Sequence, residues 1–391
     1  MIIKNARLVP FLTEGYEGEY ADVYTEENEI SDLRPAGTCE YFDVDARGMT
    51  LLPGLMDLHM HFYFSTGDFY ALAAENHNQH FVDAIAYAKF FLDSGYTVIR
   101  DCGNPDGIGV AVRDAIASGI IEGPRVFTAG KCITPTAKGN DTFPSLYDEV
   151  DDPAAVMGIC RKEYSDGIDF LKYMATGSVA NRTGVPGALI TTREELFAMQ
   201  AAADSLGTYV GVHCHGTEGI KFCIEAGIRT IEHASFMTDE CIRMILERGN
   251  QTALIPTLSP VCQLYEDTNS PKWLRDKIPA IWDAAKMLVK AERSGVRLGW
   301  GTDQSMATYK KDIGYEFHAR KQAGFTEEEM LKQATINSAE IMGIADRYGT
   351  VKPGKNADLI LISGNPDKDI SVMSERPALV MKDGKIVRNR L

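Results

Sequence analysis

The sequence predicts an α/β fold: a (β/α)8 TIM-type barrel carried beside a small composite β-sandwich formed by the N- and C-terminal segments. Two observations point to the barrel. Between residues 51 and 345, short apolar segments alternate with amphipathic ones eight times over, and eight such units argue a closed parallel barrel. No Gly-rich phosphate loop opens the first helix, which counts against an open doubly wound sheet. A third observation points to the sandwich. Both ends of the chain read as short alternating strands, and neither end is large enough to hold a core alone.

The N-terminal segments MIIKNARLVP, YADVYTEENEI and YFDVDARGMT read as strands separated by turn residues. Strands are then expected at 51–59, 96–101, 124–129, 168–173, 209–213, 228–233, 251–256 and 296–302. Helices are expected after them at 76–94, 106–119, 152–165, 192–206, 216–226, 238–249, 273–294 and 308–323, with one or two more over 326–345. The segment GTVKPGKNADLILI returns to strand patterning. Asp383-Gly384, between ALVMK and KIV, marks a hairpin. The expected division is 1–53 plus 346–391 for the sandwich and 54–345 for the barrel.

The chain has 391 residues, 45% apolar and 24% charged. That is a globular composition with enough length for a large core. With 40 basic and 55 acidic side chains the net charge is −15, so nucleic acid and anionic membranes are not expected partners. No apolar run reaches membrane-spanning length, and MIIKNARLVP lacks the pattern of a secretory signal. The eight cysteines are scattered without a Cys-x-x-Cys pair, which suggests reduced thiols in a cytoplasmic protein. A small-molecule substrate and a possible homo-oligomer complete the expectation.

Barrel chemistry collects at the C-terminal ends of the strands. Strand 1 ends in Asp57-Leu58-His59-Met60-His61, strand 5 in VGVHCHG with His213 and His215, strand 6 in TIEHAS with His233, and strand 8 in GWGTDQS with Asp303. Five of the eight histidines stand at these ends. Strand alternation puts His59 and His61 on one face with Met60 opposite. Lys172 lies inside the apolar strand DFLKYMATG, where a lysine needs a partner. Imidazoles and a carboxylate converging on one barrel mouth suit a divalent ion such as Zn2+.

The segments DVDARGMTLLPGLMDLHMH (43–61) and GTVKPGKNADLILI (349–362) resemble the opening and closing of the amidohydrolase superfamily. DFLKYMATG, VHCHG, AGIRTIEHAS and GTD resemble its imidazolonepropionase-related and metal-dependent Xaa-Pro and Xaa-Arg dipeptidase branch. The resemblance covers nearly the whole chain. It implies the barrel plus composite sandwich, and two divalent metals bridged by a carboxylated lysine and a hydroxide. His59, His61 and Asp303 would hold one metal, and His213 and His233 the other. The carbamate of Lys172 would bridge both, and Asp303 would also carry the proton. Carbon dioxide added to a neutral lysine gives an anion with one oxygen for each metal. The implied activity is amide-bond hydrolysis of a dipeptide or N-acyl amino acid.

The pattern departs after Lys172. MATGSVAN stands where the dipeptidase branch tends to carry a Gly pair, so the substrate side is less determined than the metal side. His215 is a catalytic or substrate-contact candidate. Arg182, Lys138 and Tyr173 are candidates for substrate contact, with Arg182 offering a planar fork for a carboxylate. Arg100 beside Asp101 is expected as a structural pair, and Tyr63 as packing. The alternative enzyme is a cyclic-amide hydrolase like imidazolonepropionase, or a mononuclear deaminase. Such deaminases place an acid just past the strand 5 histidine, where this chain has Cys214-His215-Gly216. A non-catalytic scaffold would have lost ligand residues, and none is missing here.

Overall fold

The computed structural model describes residues 1–143, 145–179, 185–267 and 269–391. Seven parallel strands form its centre: β1 (Leu55–Met60), β2 (Tyr96–Asp101), β3 (Arg125–Thr128), β4 (Leu171–Met174), β5 (Val210–Cys214), β6 (Thr230–His233) and β7 (Ala253–Ile255). β1, β2 and β3 make one sheet in that order. β4 to β7 make a second, extended on the β4 side by Cys132–Thr134 and Tyr147–Glu149. The predicted third strand is thus split: 125–128 pairs with β2, whereas Cys132–Thr134 pairs with β4. The predicted eighth strand, 296–302, forms no regular strand. It touches β7 through a single parallel bridge, Leu254–Leu298. It also meets β1, where Leu58 N–H donates to Trp300 O and Asp303 N–H donates to His59 O, both at 2.8 Å.

Helices follow the strands where amphipathic spacing predicts them: α1 (His77–Asp93), α2 (Ile108–Ala117), α3 (Pro153–Ser165), α4 (Arg193–Leu206), α5 (Thr217–Ala226) and α6 (Asp239–Glu247). Their ends carry local signals. Asp152 caps α3, and Thr192 with Glu195 forms a capping box on α4, which stops at Gly207 in a left-handed conformation. α7 (Leu258–Glu266) lies in a stretch the pattern leaves without an element. Beyond it come α8 (Ile278–Arg293) and α9 (Tyr315–Ala323). The predicted helix 308–323 is two pieces, Met306–Tyr309 and α9. No helix among the described residues is long and apolar enough to cross a membrane.

Both ends of the chain join one eight-stranded sheet. Its main order is Lys385–Asn389, Leu379–Lys382, Leu359–Ile362, Thr50–Pro53, Ile2–Leu8, Tyr20–Glu26 and Glu29–Pro35, with Val44–Asp45 alongside Ile2–Leu8. Its apolar face has its own core, including Ile3, Val23, Leu51, Leu359 and Met381. Gly54 hands the chain from this sheet to β1. A side chain there would meet Thr97 Oγ1 at 2.2 Å, so only glycine fits.

Two buried arginines brace the parallel strands. Arg100, on β2, donates to Leu58 O on β1 and to Thr230 Oγ1 and Glu232 Oε1 on β6. It pairs with Glu232 and not with its neighbour Asp101, which instead accepts from Thr128, Asn104 and the Phe62 N–H. Burial opposes the charge of Arg100 most strongly of any single cause, but Glu232, Cys102 and Tyr209 acting together hold the pKa above the usual value. Arg320, on α9, donates to Glu316 Oε1, Pro256 O, Gly299 O and Gln333 Oε1. It thereby fixes the 296–302 segment to α9.

Candidate active site

A cavity of about 730 Å3 opens at the C-terminal ends of the parallel strands. Its floor carries His59, His61, Lys172, His213, His215, His233 and Asp303. Phe64, Phe143, Met174, Val261, Leu264 and Tyr315 stand on its walls. The strand pleat explains the floor: His59 and His61 face in while Met60 packs into the apolar layer. On β4 the same alternation turns Lys172 and Met174 inward and Tyr173 outward.

Tyr173 is therefore corrected as a substrate contact. Its ring is fully buried in the core, and its hydroxyl hydrogen-bonds Thr191 Oγ1 at 2.7 Å. Lys138 lines a smaller neighbouring cavity with Asn140 and Val185, not the main one. Arg182 lies outside the described residues. The cation that lines the main cavity besides Lys172, among the described residues, is Lys311, which sequence reasoning missed because its segment reads as helix surface.

The remaining predicted residues come together. His59 Nε2 and His61 Nε2 lie 3.8 and 3.5 Å from Asp303 Oδ1. The rings of His213 and His233 are 4.5 Å apart, and His215 stacks on His233 at 4.7 Å. Donor atoms of His59, His233 and Asp303 lie within 4.8 Å of one another, as do those of His213, His215 and His233. His233, Ala234 and Asp303 all have positive φ, of 69°, 49° and 49°. Such strained backbone at strand ends marks sites where side chains are held against local preference.

Four of the five rings are oriented from behind, and the fifth, His213, meets His233 Nε2 through its Nδ1 at 2.8 Å. His59 Nδ1 faces Glu232 Oε2 at 2.8 Å, and His61 Nδ1 faces Gly103 O at 2.8 Å. Both partners accept, so Nδ1 carries the proton and Nε2 is left as a lone-pair donor toward Asp303. His233 Nδ1 meets Thr257 Oγ1 at 2.6 Å, and His215 Nδ1 meets Ser235 Oγ at 2.8 Å. Burial, reinforced by the nearby Lys172, pushes His61 and His215 down to about 3. Burial likewise lowers His59, His213 and His233, so all five rings are neutral. Burial raises Asp303 to about 7. Glu232, directly behind His59, is a second residue at the site that sequence reasoning missed. An acid in the apolar strand TIEHAS is the same signal that drew attention to Lys172.

The floor fits divalent metal ions. Neutral imidazoles and a carboxylate are the donor set such ions take. Two buried atoms of the floor also have no hydrogen-bond partner among the described residues: Lys172 Nζ, on a residue only 2% exposed, and His213 Nε2. Buried polar atoms are rarely left unpaired unless something else meets them.

Known proteins share this architecture. The amidohydrolase family model matches residues 50–387. Ochratoxinase of Aspergillus niger is 29% identical over 373 residues, covering 86% of this chain and 75% of that protein. Imidazolonepropionase of Thermoplasma volcanium is 24% identical over 381 residues, covering 88% and 84%. A solved Xaa-Pro dipeptidase with methionine in its active site is 31% identical, superposes with a TM-score of 0.85, and is matched over 99% of each chain. The chain belongs to the amidohydrolase family and is a hydrolase acting on C–N bonds.

Proposed function

We propose that the chain is a binuclear metal-dependent amidohydrolase that cleaves a dipeptide or an N-acyl amino acid. The observation that carries this reading is Lys172: a buried amine with no hydrogen-bond partner among the described residues, on a floor with five neutral histidines and Asp303. As a carbamate it would carry one negative charge shared by two oxygens, which would suit two cations. His59, His61 and Asp303 would hold the first metal, and His213 and His233 the second, with zinc the best match to the donors. The strand segments, together with the contacts of 296–302, support a closed (β/α)8 barrel over 54–345. A composite β-sandwich of 1–53 and 346–391 would flank it.

Divalent metals held by these residues would polarise a substrate carbonyl and lower the pKa of a water toward neutrality. The protein's own groups then have defined work. Asp303 takes the proton of the attacking water and returns it to the leaving nitrogen. Glu232 and Gly103 O hold His59 and His61 in one tautomer. His215, on the cavity floor, meets the substrate. Lys311 is the cation available to a substrate carboxylate in the main cavity, and Arg182 is the second candidate.

The test combines metal analysis with hydrolysis. The purified enzyme should hold close to two metals per chain and cleave members of a dipeptide and N-acyl amino acid panel. Asp303→Asn should lower kcat about 10²–10⁴-fold while keeping much of the metal. The likeness to imidazolonepropionase motivates a second reading, cyclic-amide hydrolysis. It predicts one metal in active enzyme and substantial activity in Lys172→Ala, and either result would displace the binuclear reading.

A further inference from the structure

Away from the cavity floor, three donor atoms of different kinds meet between α7 and α9. Cys262 and Glu266 stand one turn apart on α7 and share a face. His318 comes from α9, and the three ligand atoms lie within 4.8 Å of one another. His318 Nε2 is 3.2 Å from Glu266 Oε1. Tyr315, one turn before His318, donates to Glu266 Oε2 and lies 3.8 Å from Cys262 Sγ. Cys262 is buried, whereas the His318 and Glu266 side chains are 42% and 49% exposed. The thiol thus lies inward of the other two groups, which reach the surface.

We propose that Cys262, Glu266 and His318 form a further binding site for a divalent transition metal of the zinc class, separate from the floor of the main cavity. Thiolate, imidazole and carboxylate are the donors zinc takes, and three protein ligands leave its fourth position to water. Magnesium and calcium, which want oxygen on all sides, do not fit a thiol and an imidazole. A hydrogen-bonded Tyr–Glu–His cluster alone would need no thiol facing it. On binding, the Cys262 proton passes to solvent and the thiolate bonds to the ion; no other bond changes. The site touches function through its helices. α7 gives Val261 and Leu264 to the cavity wall, and α9 gives Tyr315, so an ion here ties two parts of that wall together.

Cobalt is the probe, added to the enzyme as purified with its resident metals kept and loose metal removed. The floor residues assigned to metals include no thiol. A thiolate-to-cobalt charge-transfer band that saturates as a single site therefore reports this cluster. Wild-type enzyme should show the band, Cys262→Ser should lose it, and His318→Ala should weaken cobalt binding about tenfold or more. His318 is exposed, so its variant keeps the test intact if Cys262→Ser folds poorly. Three results would overturn the proposal: a band that survives in Cys262→Ser, which would point to Cys102 or Cys132 beside the floor; cobalt bound to wild type without a band; or unchanged cobalt affinity in His318→Ala.

Discussion

Arg100 and Arg320 are built alike and do different things. Both are fully buried, both pair with a buried glutamate, and both donate to backbone carbonyls of neighbouring strand segments. Each also lies against an aromatic ring, Phe170 for Arg100 and Trp300 for Arg320. The difference is in the second oxygen of each glutamate. Glu316 Oε2 accepts from the N–H and hydroxyl of Ser259, and the chain of contacts ends in scaffold. Glu232 Oε2 faces Nδ1 of His59, and that chain of contacts ends on the cavity floor. A buried ion pair is therefore not functional or structural by its chemistry alone. Its role is set by what the free lone pairs reach.

The largest effect should come from removing either carboxylate outright. Glu316→Ala and Glu232→Ala each strand a buried guanidinium, which costs about 3–5 kcal/mol. Urea denaturation should show losses of that size in both variants. A near-neutral Glu232→Ala would mean that Arg100 finds other partners, and the parallel would break. A smaller change should separate the pair. Glu232→Gln keeps the shape but weakens the hold on His59, so metal affinity should fall about 10–100-fold, or about 1.4–2.8 kcal/mol. Glu316→Gln should leave metal affinity unchanged. Calorimetric metal titration of both variants checks this, and equal losses would erase the distinction. The smallest effect concerns Tyr173, which belongs with the scaffold. Tyr173→Phe removes one hydrogen bond, costing about 0.5–1.5 kcal/mol, with KM unchanged. A raised KM would return Tyr173 to the substrate side.

Much of the floor was legible in the sequence because a two-residue period and an apolar strand leave few places for polar groups. His59, His61 and Lys172 stand out on that basis. The same period, applied one residue further, turns Tyr173 away from Lys172, so its misplacement was avoidable. Other features were not legible. Nothing near Arg100 in the chain announces that its partner is Glu232, since that pairing depends on which strands lie side by side. The segment 296–302 reads as a strand and does hydrogen-bond to its neighbours on both sides, yet it forms only an isolated bridge, Leu254–Leu298, and turns away at Asp303, which has positive φ. α7 begins Leu-Ser-Pro and follows a proline, which reads as a loop until Glu316 satisfies its first N–H groups. Lys311 is polar surface by pattern and becomes cavity lining only through the fold.

The terminal sheet has a consequence for how the protein is made. Thr50–Pro53 pairs with Leu359–Ile362, which are synthesised roughly 300 residues later. At ~5–20 residues per second on a ribosome, that interval is about 15–60 s. During it the strand edge next to Leu51 and Leu52 is unpaired, and long-range pairing of this kind forms slowly. Truncations that remove Leu359–Ile362 would leave that edge unpaired for good, and they should give a soluble yield far below that of the full chain.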